Sequence, residues 1–524
     1  MALATGSDMS QYLIRGGHLV TDARLGPAGL IPAGAVLTDG DRIAAVGPYA
    51  DLKARNATVE EIGSPAHLVL PGLVNAHTHG YGMSHLQRGL LDDAYEPWCL
   101  AQDQLLPLDP YYDTVYGVAR MALAGVTTAI HSHWNTESLE PYRTSVLAGL
   151  RAFEEAGVRV AFAMGVANQF HIVPGDPEAF LAMLPARLAD RVRASYSAAQ
   201  SIRPTEYLAL YDELLPIAKS EFPRARLCFG PAATLWLTDD FWRAISAKSE
   251  AHNAAMVIHI DESQYDRPYT LKVKGTSSVA YLKSLGALTE RSVLIHSVWF
   301  TDGDLRLVAS AGSTIVHNPA SNLRIRIGIA PVNVMWQTGI NVALGTDSTG
   351  MNDDDDMLQE MGLCALLHRT PSLDAFCPNH YDILAMATIN GARGAMLQDE
   401  IGTLEVGKKA DLTVVDMTRA RLPYADPEQD PVALLVGRAR GRDVDTTLVD
   451  GGIVVRGGRH TRVDLNELAI RQRSYFEKTG TRNREAGESI KELQPFLIKY
   501  YHEQFDRPER KVEPYYVMNS RCEL

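Results

Sequence analysis

His77 and His79 close the apolar run Leu68 to Ala76. Side chains two residues apart on a strand point to one face, so these two imidazoles could share a single metal ion. Three later fragments repeat the pattern of a polar residue placed where a short apolar, β-branched run ends. His259 and Glu262 lie in AMVIHIDES, His296 in SVLIHSVWF and Asp347 in NVALGTDST. In parallel α/β barrels the functional residues come from the C-terminal ends of different strands and converge on one mouth. Imidazole nitrogens and a carboxylate gathered there are the donors of a catalytic metal site that keeps a position open for water.

The elements that must deliver them are legible as well. Eight β-rich runs follow one another from Leu68: LVLPGLVNAH, TTAIHSHW, VRVAFAMGV, ARLCFGPAA, AMVIHID, SVLIHSV, STIVHNP and NVALGTDS. Segments such as Tyr111 to Ala124 and Thr238 to His252 lie between them, with apolar residues three and four apart. Strands alternating with helices imply parallel βαβ units, and eight units predict a closed TIM-like (β/α)8 barrel over residues 68–399. Residues 10–67 and 400–462 read instead as short strands broken by Gly, Pro and Asp, which predicts one small composite β-sandwich domain built from both flanks. Residues 463–524 form a C-terminal helical extension: Asp464 with Glu467, and Ser489 with Glu492, are capping-box patterns, and Pro495 should kink the second helix. The terminal YYVMNSRCEL is apolar enough to need a docking surface on the barrel or on a second subunit.

Bulk properties narrow the function. The 524 residues are 46% hydrophobic and 22% charged, the balance of a globular protein with a large core. A formal charge of −13 argues against nucleic-acid and anionic-membrane partners, whose binding draws on clustered Lys and Arg, and favours a small neutral or cationic substrate. Cys99, Cys228, Cys364, Cys377 and Cys522 are scattered without CxxC spacing and read as reduced thiols. No secretory signal or membrane span is evident, so a cytoplasmic location is expected.

The words PGLVNAHTH, GVTTAIHSH, HIDE, HSVWF, HNPASNLRI, LGTDS and GTLEVGKKADLTVVD run in order from Pro71 to Asp416. As a set they resemble the amidohydrolase superfamily, and more closely its cytosine deaminase, guanine deaminase, S-adenosylhomocysteine deaminase and triazine hydrolase branch. The resemblance implies metal ligation by His77, His79, His259 and Asp347. Many relatives bridge two metals with a carboxylated lysine on strand four; RLCFGPAAT has none, which implies one divalent metal per subunit, zinc by default, with iron or cobalt able to use the same donors. Such an ion lowers the pKa of water toward about 7. By resemblance Glu262 moves the proton from water to the substrate nitrogen, His296 orients the nucleophile or polarises the substrate, and Asp347 is both ligand and proton acceptor.

Other residues carry open readings. His131 and His133 form a second strand-end HxH, read as substrate-contacting or ligand-supporting, as inert strand-end polarity, or as a second metal site. Tyr81, His85, Gln87 and Trp98 could contact substrate or simply pack, and His317, Asn318 and Asn322 in HNPASN should order the strand-seven loop. Asp353 to Asp356 lack the spaced ligands of a calcium loop and read as a solvated helix N-terminus.

The expected activity is hydrolysis of a C–N bond, foremost deamination of an N-heterocycle. GPAATLW lacks the histidine that adenosine-type relatives often carry after strand four, which weakens a nucleoside reading. One rival is hydrolysis of a urea, carbamate, amide or triazine side chain by the same site; another is a metal-free scaffold barrel, which would have lost its ligands. A homo-oligomer is expected by resemblance.

Overall fold

Eight runs of β-branched and apolar residues form eight parallel strands because both faces of each can be buried. The computed structural model describes residues 11–134, 138–169, 173, 177–198, 202–347, 352, 354–370, 373–374 and 376–505. The strands are Leu73–Thr78, Val126–His133, Arg159–Val166, Ala225–Pro231, Met256–Ile260, Ser292–His296, Thr314–His317 and Asn341–Leu344. They neighbour one another in sequence order, and a parallel bridge between Thr78 and Asp347 brings the first and eighth ends together. The His79 N–H donates to the Asp347 carbonyl at 2.7 Å and the Asp347 N–H donates to the His77 carbonyl at 3.0 Å. The seam of the barrel is thus stitched by the backbones of three expected metal ligands.

The two flanks interleave in one nine-stranded sheet, in which Glu60–Pro71 of the N-terminal flank pairs antiparallel with Leu412–Asp416 of the C-terminal flank. Ile14, Val36, Ile62, Val69, Leu412 and Val414 share its apolar core. The expected boundary at residue 68 falls inside this strand: Leu68 to Pro71 still pair with the C-terminal flank, and the barrel begins at Leu73. A buried ion cluster fastens the sheet to the barrel. The Arg159 guanidinium, at the start of the third barrel strand, donates to Asp411 at 3.2 Å through two nitrogens and to Asp450 at 2.6 Å.

The tail follows its predicted pattern in part. Asp464 caps the helix Leu465–Thr479 by accepting from the N–H groups of Asn466 and Glu467. The Ser489–Glu492 pattern is not a cap. The second helix starts earlier, at Arg484, where Asn483 Oδ1 accepts the Ala486 N–H at 3.2 Å, and Ser489 Oγ donates back to the Glu485 carbonyl inside the helix. Leu493, Leu497 and Tyr500 of this helix share a core with Phe180, Leu181 and Leu188, and Tyr501 and Phe505 pack on Tyr265 beside the barrel mouth. The terminal run YYVMNSRCEL lies outside the described residues.

Asp356 caps the helix Met357–Leu367, as an acidic helix N-terminus should, and Asp354 is exposed as expected, but the rest of the described run is not solvated. Asp355 and Asp356 are buried, accepting from Thr346 Oγ1 at 2.9 Å and from the Gly441 N–H at 2.7 Å, so these carboxylates are spent on packing the loop after strand eight. Asp353 lies outside the described residues. Among the described residues no helix is long and apolar enough to cross a membrane.

Removing one partner from a buried ion cluster leaves the others uncompensated, which costs about 3–5 kcal/mol. Arg159→Ala is therefore expected to lower the urea midpoint of unfolding, whereas Arg193→Ala, whose partners Glu178 and Asp190 are solvent-exposed, should leave it within error.

Candidate metal centre

His77, His79, His259, His296, Glu262 and Asp347 converge at the C-terminal mouth of the barrel. Asp347 Oδ1 stands 3.4 Å from both His77 Nε2 and His79 Nε2. The side-chain nitrogens of His77, His259 and His296 also lie within 4.8 Å of one another. Each ring is oriented through its other nitrogen. His79 Nδ1 meets the Ser132 carbonyl at 3.0 Å, His259 Nδ1 the Ala232 carbonyl at 3.1 Å, and His77 Nδ1 the Ser132 hydroxyl at 3.3 Å. Protonated at Nδ1, the first two rings turn a bare Nε2 into the site, the tautomer a metal requires.

The donor set fits a divalent ion on three counts. His77 Nε2 is buried and has no hydrogen-bond partner, a costly arrangement for a polar atom unless something else satisfies it. Burial holds the imidazoles neutral: it lowers His77 to about 4, His79 to a smaller extent, and His259 well below its usual value. Burial alone would raise the Asp347 carboxyl, but the close approach of His77, with His79 and His296 around it, holds it well below the ordinary range, so it stays ionised. Neutral imidazoles and a carboxylate are the protonation states that ligate.

His296 is set apart by its partners. Asn322 Oδ1 lies 2.9 Å from its Nδ1, and its Nε2 faces Glu262 Oε1 at 3.3 Å. Asn318 Nδ2 is 3.4 Å from the same Nδ1. Burial, reinforced by the charge on Asp347, pushes the Glu262 carboxyl well above its usual value, and Tyr95 hydrogen-bonds it. His296 and Asp347 have left-handed backbones, with φ of 68° and 67°. Such conformations cost a non-glycine residue about 1–3 kcal/mol and persist where the surroundings impose them; here the strain turns two side chains inward at the ends of strands six and eight.

The remaining expectations divide. Tyr81, His85 and Trp98 line the cavity above the centre, Tyr81 stacked on His79 and His85 edge-on to Trp98. Gln87 does not reach it: the side chain is exposed, and its Oε1 accepts the Ser84 N–H at 2.9 Å to close a local turn. His317 turns away from the centre, its Nε2 3.0 Å from His368 Nε2. His133 lines the cavity; His131 lies behind it, packed on Phe153 and Phe162. Among the described residues neither belongs to a group of three potential metal donors.

Several residues that position the site escaped the sequence reading. Ser321 Oγ donates to Asp347 Oδ2 at 2.6 Å, and Asp113 Oδ1 accepts the N–H groups of Gly82 and Met83 to shape the loop after His79. Tyr95, Trp134 and Trp236 line the cavity. Ser321 sits inside the quoted HNPASN word and was within reach; the others depend on which helix packs over which loop.

The profile of the amidohydrolase family matches residues 68–454, and that of a bacterial imidazolonepropionase-like composite domain matches residues 34–57. The chain is 30% identical over 413 residues to a 5-methylthioadenosine/S-adenosylhomocysteine deaminase of Pyrococcus furiosus, covering 78% of this chain and 88% of that one. It is 30% identical over 441 residues to a 5'-deoxyadenosine deaminase of Methanothermobacter thermautotrophicus, covering 84% and 93%. A zinc-bound adenosine deaminase from Xanthomonas campestris has a similar fold, with a TM-score of 0.76 at 23% identity over 90% of this chain and 98% of that one.

Metal content tests the donor assignment. His79→Ala and His259→Ala are each expected to lose most of the bound divalent metal, measured by plasma mass spectrometry. The double variant His131→Ala, His133→Ala should keep the unaltered metal-to-protein ratio.

Proposed function

Because this chain belongs to the amidohydrolase family and is a hydrolase of carbon–nitrogen bonds, we propose that it removes the exocyclic amino group of an N-heterocycle as ammonia. The observation that carries this reading is the position of Glu262. Its carboxyl is buried at the cavity floor, 3.3 Å from His296 and beside the Asp347 donor cluster. Amines leave as neutral molecules only when protonated, so the chemistry needs a proton donor aimed at the leaving nitrogen.

His77, His79, His259 and Asp347 would hold one zinc ion, which supplies Lewis-acid activation of water when bound. The chain's own residues do the rest. Glu262 takes a proton from the attacking water and delivers it through its carboxyl oxygen to the substrate nitrogen. His296, oriented by Asn322, hydrogen-bonds the nucleophile or the ring atom that gains negative charge. Asp347, held by Ser321, accepts the second water proton as the product carbonyl forms, and that proton goes on to the other nitrogen of the amidine unit, so that ammonia leaves and the product ring nitrogen is protonated. The seam hydrogen bonds keep the Asp347 and His77 side chains in register while these protons move. The curated relatives named as deaminases of adenine nucleosides support a purine-type ring over the urea or carbamate alternative. We place the enzyme in the cytoplasm as a homo-oligomer, in keeping with its acidic charge and family.

Zinc-loaded protein should release ammonia from one or more amino-purines, amino-pyrimidines or amino-triazines, and a chelator should abolish the release. Alkylamine or halide release without ammonia would replace this reading with side-chain hydrolysis. Glu262→Gln should keep its metal and lose about 10²–10⁴-fold in kcat; near-normal turnover would remove Glu262 from the mechanism.

A further inference from the structure

The cavity above the donor cluster extends past the reacting centre toward the ends of strands two, three and four. Three features define this extension. Trp134 and Trp236 stand with ring centroids 5.8 Å apart and planes inclined by 55°. Between strands the wall is low, formed by Gly165 and Ala233. His133 completes it with its ring alone, because both nitrogens are engaged, Nδ1 with His131 at 3.4 Å and Nε2 with Ser145 Oγ at 2.7 Å.

The backbone that carries Trp236 is held before any ligand arrives. The Trp236 carbonyl accepts the N–H groups of Asn168 and Gln169 at 3.0 and 2.9 Å. Asn168 exchanges two further hydrogen bonds with Thr238, of 3.1 and 3.0 Å. An aromatic wall on a fixed backbone has less to lose in ordering when a ligand packs on it, which favours affinity.

Its electrostatics select the occupant. Among the described lining residues there is no Lys or Arg, and the wall around the two indoles is apolar at Ala163, Gly165 and Ala233. A carboxylate or phosphate placed against the indole faces would lose its hydration, meet no Lys or Arg among the described lining residues, and face the negative side of each ring's quadrupole.

Resting on the deaminase reading above, we infer that this slot is a binding site for an uncharged, apolar substituent on the substrate ring, and that it rejects substituents ending in an anion. S-adenosylhomocysteine, which ends in an amino-acid carboxylate, is thus a poorer occupant than the methylthio analogue named for the same relative or the deoxy analogue named for another.

The test compares 9-benzyladenine with 9-(2-carboxyethyl)adenine on the zinc-loaded full chain. Binding is read by titration calorimetry and tryptophan quenching, and turnover separately by ammonia release. The benzyl compound should bind about tenfold or more tightly. Trp134→Ala and Trp236→Ala should each reduce that preference severalfold, in variants whose metal content and urea midpoint match the parent. Equal affinities, tighter binding of the carboxylate, binding of neither compound, or a preference untouched by both substitutions would overturn the inference. The preference without any ammonia would leave the slot standing and remove the deaminase reading instead.

Discussion

The hydrogen bonds that join the first and eighth strands are the constraint on which the site depends. They pair the backbone of Asp347 with those of His77 and His79. Barrel closure and ligand placement are therefore one event: a register slip at the seam would leave the barrel open and move a carboxylate away from two imidazoles together. A strand offset by one residue also turns every side chain to the opposite face. The geometry cannot drift in small steps.

Around that seam the hydrogen-bond partners are mostly backbone carbonyls and short hydroxyls, from Ser132, Ala232 and Ser321. The carbonyls have little freedom of their own, so His79 and His259 are each held by an atom that the backbone of a neighbouring strand end already fixes. The left-handed backbones at His296 and Asp347 fit this picture. Strain at two strand ends is supported by a core that is buried on both faces, and the composite sheet is fastened to the opposite end of the barrel through Arg159.

Much of this could be read from the residues. Apolar runs mark the eight strands because a parallel sheet covered on both sides tolerates little else, and a polar residue at the end of such a run stands out. Asp464 was legible as a cap because its signal is local. Ser489 shows the limit: its spacing to Glu492 satisfies a capping pattern, yet helix propagation from Asn483 decided the start. Gln87 resembled a pocket residue by proximity to His79, but a short turn consumed its amide. Asp355 and Asp356 looked solvated, as Asp354 is, because the sequence does not reveal that Thr346 and Gly441 come to meet them. Trp134 and Trp236, just over a hundred residues apart in the chain, are neighbours only once strands two and four are in place.

The central claim is that one ion is held by three imidazoles and a carboxylate at the seam. A second donor group exists in the fold, His317, Cys364 and His368, and it contains a thiol. X-ray absorption at the zinc edge separates the two. The account predicts a first shell of nitrogen and oxygen at about 2.0–2.1 Å with scattering from three imidazoles and no sulfur. A sulfur shell near about 2.3 Å, or a spectrum fitted by fewer than two imidazoles, would contradict it.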